Sequence, residues 1–237
     1  MEPTLELLTD DPRSILAIVA HPDDLEYGAA AAIAKWTDQG HQAAYLLATR
    51  GEAGIDSMEP AEAARVRKAE QIASAAVVGV ADVEFLDHPD GMIEYGIPLR
   101  RELAAAIRRH RPDTLMLFNH RDSWGIPGSR NTADHRNVGQ AALDAAADAG
   151  NRWIFTDLGL PPHSVSRILV AGSPQATHAV DVTGYLDIAV ASLREHAAYL
   201  TGLGDHPMAD PEFVRMFCEQ AGARAGVPAA VAVELFT

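Results

Sequence analysis

The chain has 237 residues and only one cysteine, Cys218. A single cysteine excludes an intramolecular disulfide framework and a cysteine-rich zinc finger, so a metal in this chain would need histidine and carboxylate ligands. Basic residues are also few, because 19 Lys and Arg stand against 33 Asp and Glu and give a formal net charge of −14. Such a charge argues against nucleic acid or an anionic membrane surface as a partner.

Long apolar segments are missing as well. No apolar run approaches the roughly 20 residues of a membrane-spanning helix, and the first residues lack the basic and apolar regions of a signal peptide. We therefore expect a cytoplasmic protein without membrane contact. The composition, 48% hydrophobic and 22% charged, is that of a globular chain. The length suits one domain over 1–237, with a core at about 14–200 and a C-terminal extension at 201–237. A homo-oligomer is compatible with the sequence, which does not reveal the oligomeric state.

Short apolar runs alternate with longer Ala-rich segments along the chain. The apolar runs predict strands, and the segments between them predict helices. Strands separated by helices form parallel sheets with right-handed crossovers, so the predicted fold class is α/β, a three-layer, doubly wound domain with a mainly parallel sheet. The predicted strands are 15–20, 43–48, 83–86, 114–118 and 167–171, and the predicted helices are 28–38, 60–78, 98–110, 134–149 and 182–200.

Three side chains that can bind a metal follow the first predicted strand, within the sequence Ala-His-Pro-Asp-Asp at 20–24. In doubly wound sheets the ligand site lies beyond the carboxyl ends of the strands. Two adjacent carboxylates repel each other, and a divalent cation would compensate their charge. His21 and Asp24 are three residues apart and can point to one side of a turn, which leaves Asp23 to point elsewhere. The alternative is that Asp23 or Asp24 only caps the following helix.

A second polar segment, Asp134-His135-Arg136, opens the helix after the fourth strand. If the strand order is 3-2-1-4-5, the first and fourth strands are neighbours and their following loops face each other. His135 could then meet His21 and Asp24, and two histidines with one aspartate are typical of a catalytic zinc site. The alternative is that Asp134 caps the helix and His135 is a surface residue.

Together the two segments resemble the metal-dependent N-deacetylases of the PIG-L, or LmbE-like, family. Residues 49–54, after the second strand, are similar to the family's Thr-x-Gly-Glu-x-Gly stretch, and Arg67 and Glu70 match its Arg-x-x-Glu helix pattern. The resemblance covers about residues 14–200. It implies a Rossmann-like fold and zinc-dependent removal of an acyl group from an amino sugar or a related small polar amide.

The resemblance also implies roles for single residues. His21, Asp24 and His135 match the metal ligands, Asp23 the general base, and Arg67 an arginine that contacts the substrate. These roles suit amide hydrolysis, which needs an activated water and an acceptor for its proton. The expected cofactor is one Zn²⁺ per chain, although a thiolate-free ligand set admits other divalent metals. The expected partner is a small-molecule amide substrate.

Two positions depart from the family pattern. Leu25 stands where many members have Glu after the two aspartates, and Thr132 stands where a histidine usually helps to polarise the carbonyl or to protonate the leaving group. A different residue would have to take that role. We favour His178 as this catalytic residue, since it follows the fifth predicted strand and its loop should lie beside the fourth. His120 and His88 are the other candidates.

Two further residues are candidates for substrate binding. Arg121 follows the fourth strand, and Trp124 could stack on a sugar ring or, alternatively, anchor its Gly- and Pro-rich loop. The sequence lacks the Gly-x-Gly-x-x-Gly turn of a nucleotide-binding oxidoreductase after the first strand. Two alternatives to a deacetylase remain: another metal-dependent hydrolase on this fold, and a non-catalytic carbohydrate-binding relative.

Overall fold

The computed structural model describes residues 4–237. A single eight-stranded sheet forms its centre, with helices on both faces. The strands are β1 (Glu6–Leu7), β2 (Ser14–Val19), β3 (Gln42–Leu47), β4 (Asp82–Phe85), β5 (Thr114–Phe118), β6 (Arg167–Ala171), β7 (His178–Asp181) and β8 (Ala230–Phe236). The helices are α1 (Asp24–Gly28), α2 (Ala30–Asp38), α3 (Pro60–Val77), α4 (Ile97–His110), α5 (Ala133–Gly150), α6 (Leu186–Arg194), α7 (Ala197–Gly202) and α8 (Phe213–Ala225).

The parallel part of the sheet has the order β4-β3-β2-β5-β6. It contains the five predicted strands in the order 3-2-1-4-5, so the predicted α/β fold class is confirmed. Strand β2 pairs in parallel with both β3 and β5. The loops that follow β2 and β5 therefore leave the same edge of the sheet next to each other.

The side chains of β2 point alternately to the two faces of the sheet, and both faces are covered. Ile15, Ala17 and Val19 face one hydrophobic core, which includes residues of α1, α2 and α6. Leu16 and Ile18 face the other, which includes residues of α4 and α5. Since both faces of this strand are buried, its sequence is a continuous apolar run.

The segment after residue 200 contributes to the sheet itself. Strand β8 lies between β6 and β7 and runs antiparallel to both, while β1 pairs in parallel with β7. The predicted helix at 182–200 is two helices, α6 and α7. Within residues 4–237, no helix is both long enough and apolar enough to cross a bilayer.

Candidate active site

The two polar segments meet at the carboxyl edge of β2 and β5. His21 lies in the turn after β2, and His135 lies in the first turn of α5, which follows β5. Thr132 is the N-cap of α5, and its side chain accepts a hydrogen bond from the His135 backbone N–H at 3.2 Å. The capping role that we considered for Asp134 therefore belongs to Thr132.

His21, Asp24 and His135 form a compact cluster at this edge. Their ligand atoms lie within 4.8 Å of one another. Nδ1 of His21 is 3.2 Å from Nε2 of His135, and that Nε2 atom is 2.9 Å from Oδ1 of Asp24. The other carboxylate oxygen of Asp24 accepts the backbone N–H groups of Ala20 and His21. Asp24 is thus oriented by the turn before it rather than capping the helix after it.

The far side of the His135 ring is held by Asn131. The Nδ1 atom of His135 is 2.8 Å from Oδ1 of Asn131. The amide orientation of Asn131 follows from its other bonds, because Nδ2 donates to the carbonyl oxygens of Asn119 and Arg121 and Oδ1 accepts from the Thr132 N–H. Nδ1 of His135 must therefore carry the proton, and Nε2 is left to face the cluster.

The far side of the His21 ring faces two carboxylates. Its Nε2 atom is 3.1 Å from Oδ1 of Asp90 and 3.3 Å from Oδ2 of Asp134. A histidine ligand whose outer nitrogen donates to a carboxylate is typical of protein metal sites. Burial alone would lower the pKa of His21, but Asp134, Asp24 and Asp90 outweigh it and raise the pKa well above its usual value. Asp90 was not among the residues singled out in the sequence, where it is one acidic residue of a turn.

Asp134 also fixes the loop after β4. Its two carboxylate oxygens accept the backbone N–H groups of Gly91 at 2.7 Å and Ile93 at 3.1 Å. The second oxygen of Asp90 accepts the Ala53 N–H at 2.8 Å. These two carboxylates are therefore engaged by the backbone and serve to orient His21.

The donor set fits a divalent cation. The inner nitrogens of His21 and His135 point at each other and at Asp24, while their outer nitrogens face oxygen acceptors. Two imidazole lone pairs at this distance repel unless a proton or a cation lies between them. Burial would raise the pKa of Asp24, but His135 and His21 outweigh it and lower the pKa strongly, so Asp24 is a carboxylate. Two nitrogens and one carboxylate oxygen suit zinc, and also iron, nickel or cobalt.

Asp23 lies beside this cluster with its side chain buried. Its backbone is left-handed, with φ 90°, and its side chain makes no capping bond to α1. The carboxylate instead pairs with Arg67 at 3.1 Å, and the Asp23 N–H donates to Gln71 at 3.0 Å. Burial raises the pKa of Asp23 in spite of the Arg67 charge, and the neighbouring Asp24 adds to the rise. A raised pKa makes a carboxylate a better proton acceptor.

Arg67 does not have the environment expected of a substrate contact. Its side chain is 3% exposed. The guanidinium donates to the carbonyl oxygens of Gly51 and Pro22 and to Asp23. Its position therefore ties the 49–54 loop to the turn after β2, and we revise its expected role from substrate contact to support of Asp23.

Trp124 and Arg121 lie in the loop between β5 and α5. The Trp124 ring contacts His135 edge-on, with 5.6 Å between centroids, and also lies against Phe118 at 5.5 Å. Trp124 thus borders the cluster of His21, Asp24 and His135. Arg121 pairs with Glu234 of β8, so its guanidinium is engaged within the protein, and its contact with a substrate stays a prediction.

The expectation that the His178 loop lies beside His135 is wrong, because β8 separates β7 from β6. His178 is in β7, with Thr177 and Glu6 as its polar neighbours. His88 pairs with Glu102 on α4. His120 does lie at the carboxyl edge of β5, but it is buried and its ring packs against Phe236.

Comparison with known proteins agrees with this geometry. Residues 16–146, more than half of the chain, match the family model of the GlcNAc-PI de-N-acetylases, PIG-L. The chain belongs to this family. A diacetylchitobiose deacetylase of Thermococcus kodakarensis is 31% identical over 192 residues, covering 79% of this chain and 70% of that protein. The cluster of His21, Asp24 and His135 falls within the matched segment.

Two further relatives of the family are also deacetylases. The 1D-myo-inositol 2-acetamido-2-deoxy-alpha-D-glucopyranoside deacetylase of Kineococcus radiotolerans is 28% identical over 259 residues, covering 81% of this chain and 70% of that protein. The structure of N,N'-diacetylchitobiose deacetylase from Pyrococcus horikoshii, in complex with an inhibitor, has a TM-score of 0.84 and 25% identity, and covers 95% of this chain and 84% of that chain. The similarity of this structure to the chain confirms the LmbE-like fold that the motifs predict.

Proposed function

We propose that the chain is a zinc-dependent N-deacetylase that removes an acyl group from an N-acyl amino sugar or a related small polar amide. The single observation that carries this proposal is the convergence of His21 Nδ1, His135 Nε2 and Asp24 Oδ1, with the buried Asp23 next to Asp24 in the chain. Three ligand groups with an adjacent base are what metal-assisted amide hydrolysis requires. The names of the relatives, which are deacetylases of acetamido sugars, support the substrate class.

His21, Asp24 and His135 would hold the metal. Such an ion supplies a water of lowered pKa and stabilises negative charge on the substrate carbonyl oxygen. Asp23 would accept the proton of the attacking water, and Arg67 would keep the Asp23 carboxylate in place. Asp23 is protonated by this step before the amine leaves, so it would then return the proton to the leaving amine.

The surroundings would bind and orient the substrate. The Trp124 ring beside His135 offers an apolar face next to the ligands, which suits stacking against a sugar ring. Asp90 and Asp134 would fix the His21 ring from behind. Thr132, at the position of the family histidine, cannot carry a positive charge, so in this proposal the carbonyl is polarised without a histidine at that position.

The proposal is tested with purified protein by metal analysis and by acetate release from a panel of N-acetyl amino sugars, including N-acetylglucosamine and N,N'-diacetylchitobiose. Asp24→Ala serves as the metal-site control, and we expect it to lose both metal and acetate release. Substoichiometric metal in the wild-type protein, with no acetate release after zinc is added, would exclude the proposal.

The same panel separates the two alternatives. A non-catalytic relative would bind these sugars without releasing acetate. A two-metal hydrolase would contain two ions per chain, but the second group of side chains near the site, His21, Asp90 and Asp134, shares His21 with the first. Because Asp90 and Asp134 are already engaged by backbone N–H groups, a single ion is the expected result.

A further inference from the structure

The short helix α7 contributes a tyrosine to the surroundings of Asp23. This helix lies outside the segment 16–146 that matches the family model. The ring of Tyr199 covers the Arg67 guanidinium, with 4.3 Å between Cζ and the ring centroid. The same tyrosine interacts with the Asp23 carboxylate, which Arg67 binds. A single side chain therefore acts on both members of the Arg67–Asp23 ion pair.

Helix α7 is held against the site from two sides. The Glu70 carboxylate accepts the backbone N–H of Ala198 at 2.6 Å. His196, the N-cap residue of α7, has no exposed surface, and its Nε2 atom is 3.5 Å from Oε2 of the equally buried Glu26. This distance is long for a hydrogen bond, so the contact is electrostatic. The two contacts attach α7 to α3, which carries Arg67, and to α1, which follows Asp23.

The Asp23 carboxylate is held by contacts from other elements, because its side chain makes no capping hydrogen bond to α1. The left-handed backbone of Asp23 is one that non-glycine residues seldom adopt. Arg67 binds only one carboxylate oxygen, Oδ1. A general base must keep its free lone pair aimed at the water that it deprotonates, and a second contact restricts rotation of the carboxylate about its own axis.

We propose that Tyr199 is a positioning residue for the hydrolysis, in which its hydroxyl orients the Asp23 carboxylate and its ring keeps the Arg67 guanidinium against it. This inference rests on the proposed function, in which Asp23 takes the proton from water. Burial, followed by the charge of Asp23, raises the pKa of Tyr199. The hydroxyl therefore stays protonated and can donate a hydrogen bond to the carboxylate.

The kinetic test compares Tyr199→Phe with Tyr185→Phe in the zinc-loaded protein. Tyr185 is a matched control because its hydroxyl also binds an aspartate, Asp38, at 2.8 Å, away from the site. We expect Tyr199→Phe to lower kcat about 10-fold with unchanged KM and metal content, the scale of one hydrogen bond to a charged group. Tyr185→Phe should leave kcat unchanged. Wild-type kcat in Tyr199→Phe, or a raised KM with unchanged kcat, would overturn the proposal.

A spectroscopic test uses the metal-free protein and does not depend on activity. Replacing Asp23 by Asn removes the charge beside Tyr199, so the ultraviolet difference spectrum between the two proteins should show a perturbed tyrosine. The same replacement in a Tyr199→Phe background should remove that signal. An unchanged tyrosine spectrum would disprove the contact, whereas a wild-type protein that binds metal and shows the signal but releases no acetate would disprove the proposed function alone.

Discussion

The Nδ1 atom of His21 lies 3.2 Å from the Nε2 atom of His135, although the two residues are 114 positions apart in the chain. Both outer ring nitrogens face oxygen acceptors, which are Asn131 for His135 and Asp90 with Asp134 for His21. The two inner nitrogens are therefore directed at one point beside Asp24. Hydrogen bonds from the surrounding loops maintain this arrangement.

Loss of an imidazole ligand should remove the metal while the fold remains. His135→Ala deletes one of three ligands, and its side chain lies at the sheet edge rather than within either core. We expect metal content to fall to background while the circular dichroism spectrum is unchanged. His88→Ala, which removes a histidine bound to Glu102, should keep its metal. Full metal occupancy in His135→Ala would mean that a different residue is the ligand.

Replacement of the expected base should separate activity from metal binding. Asp23→Asn is close to isosteric and keeps an oxygen for Arg67, but it cannot accept the proton. We expect a drop in kcat of about 10²–10⁴-fold, the usual contribution of a general base, with metal content unchanged. Metal analysis and acetate release measured on the same sample test this. A variant that loses metal but retains turnover when zinc is added in excess would show that Asp23 and Asp24 have exchanged roles.

The residue behind His135 should affect metal affinity without being a ligand. Asn131→Ala removes the acceptor that fixes the Nδ1–H of His135. Loss of such an outer contact typically weakens metal binding by about 10–100-fold, which a competition titration with a chelator measures. Asn137→Ala is the matched control, because that side chain lies on α5, the helix of His135, and donates to the Ile93 carbonyl oxygen. Equal affinities in the two variants would contradict the role assigned to Asn131.

The Arg121–Glu234 pair should stabilise the fold only above acidic pH. Burial would raise the pKa of Glu234, but Arg121 and Ser173 outweigh it and lower the pKa below its usual 4.5. A lowered folded-state pKa gives stability that is complete above the unfolded value and is lost as pH falls through the folded value. The free energy of unfolding of Glu234→Gln should therefore be about 1 kcal/mol lower than that of the wild-type protein at pH 7. In urea titrations this difference should shrink below about pH 4.5, and a constant difference down to pH 3 would be inconsistent with it.

The sequence predicts the part of the site that directly follows strands β2 and β5. Buried parallel strands give continuous apolar runs, and the polar residues directly after them, such as His21 and His135, must share an edge once the strand order is known. The sequence could not predict Asp90, because its approach to His21 depends on how Asp134 holds the loop after β4. It also placed His178 incorrectly, since nothing local in Ala230–Phe236 indicates insertion between two other strands.

The insertion of β8 has a consequence for synthesis of the chain on the ribosome. Strands β2 to β6 are complete long before residues 230–236 emerge, so until then β6 presents an unpaired edge, and β1 and β7 have no strand to join them to it. An exposed strand edge is a template for aggregation. A nascent chain that stalls before residue 230 would thus contain His21, Asp24 and His135 and yet be prone to pair with other chains through β6.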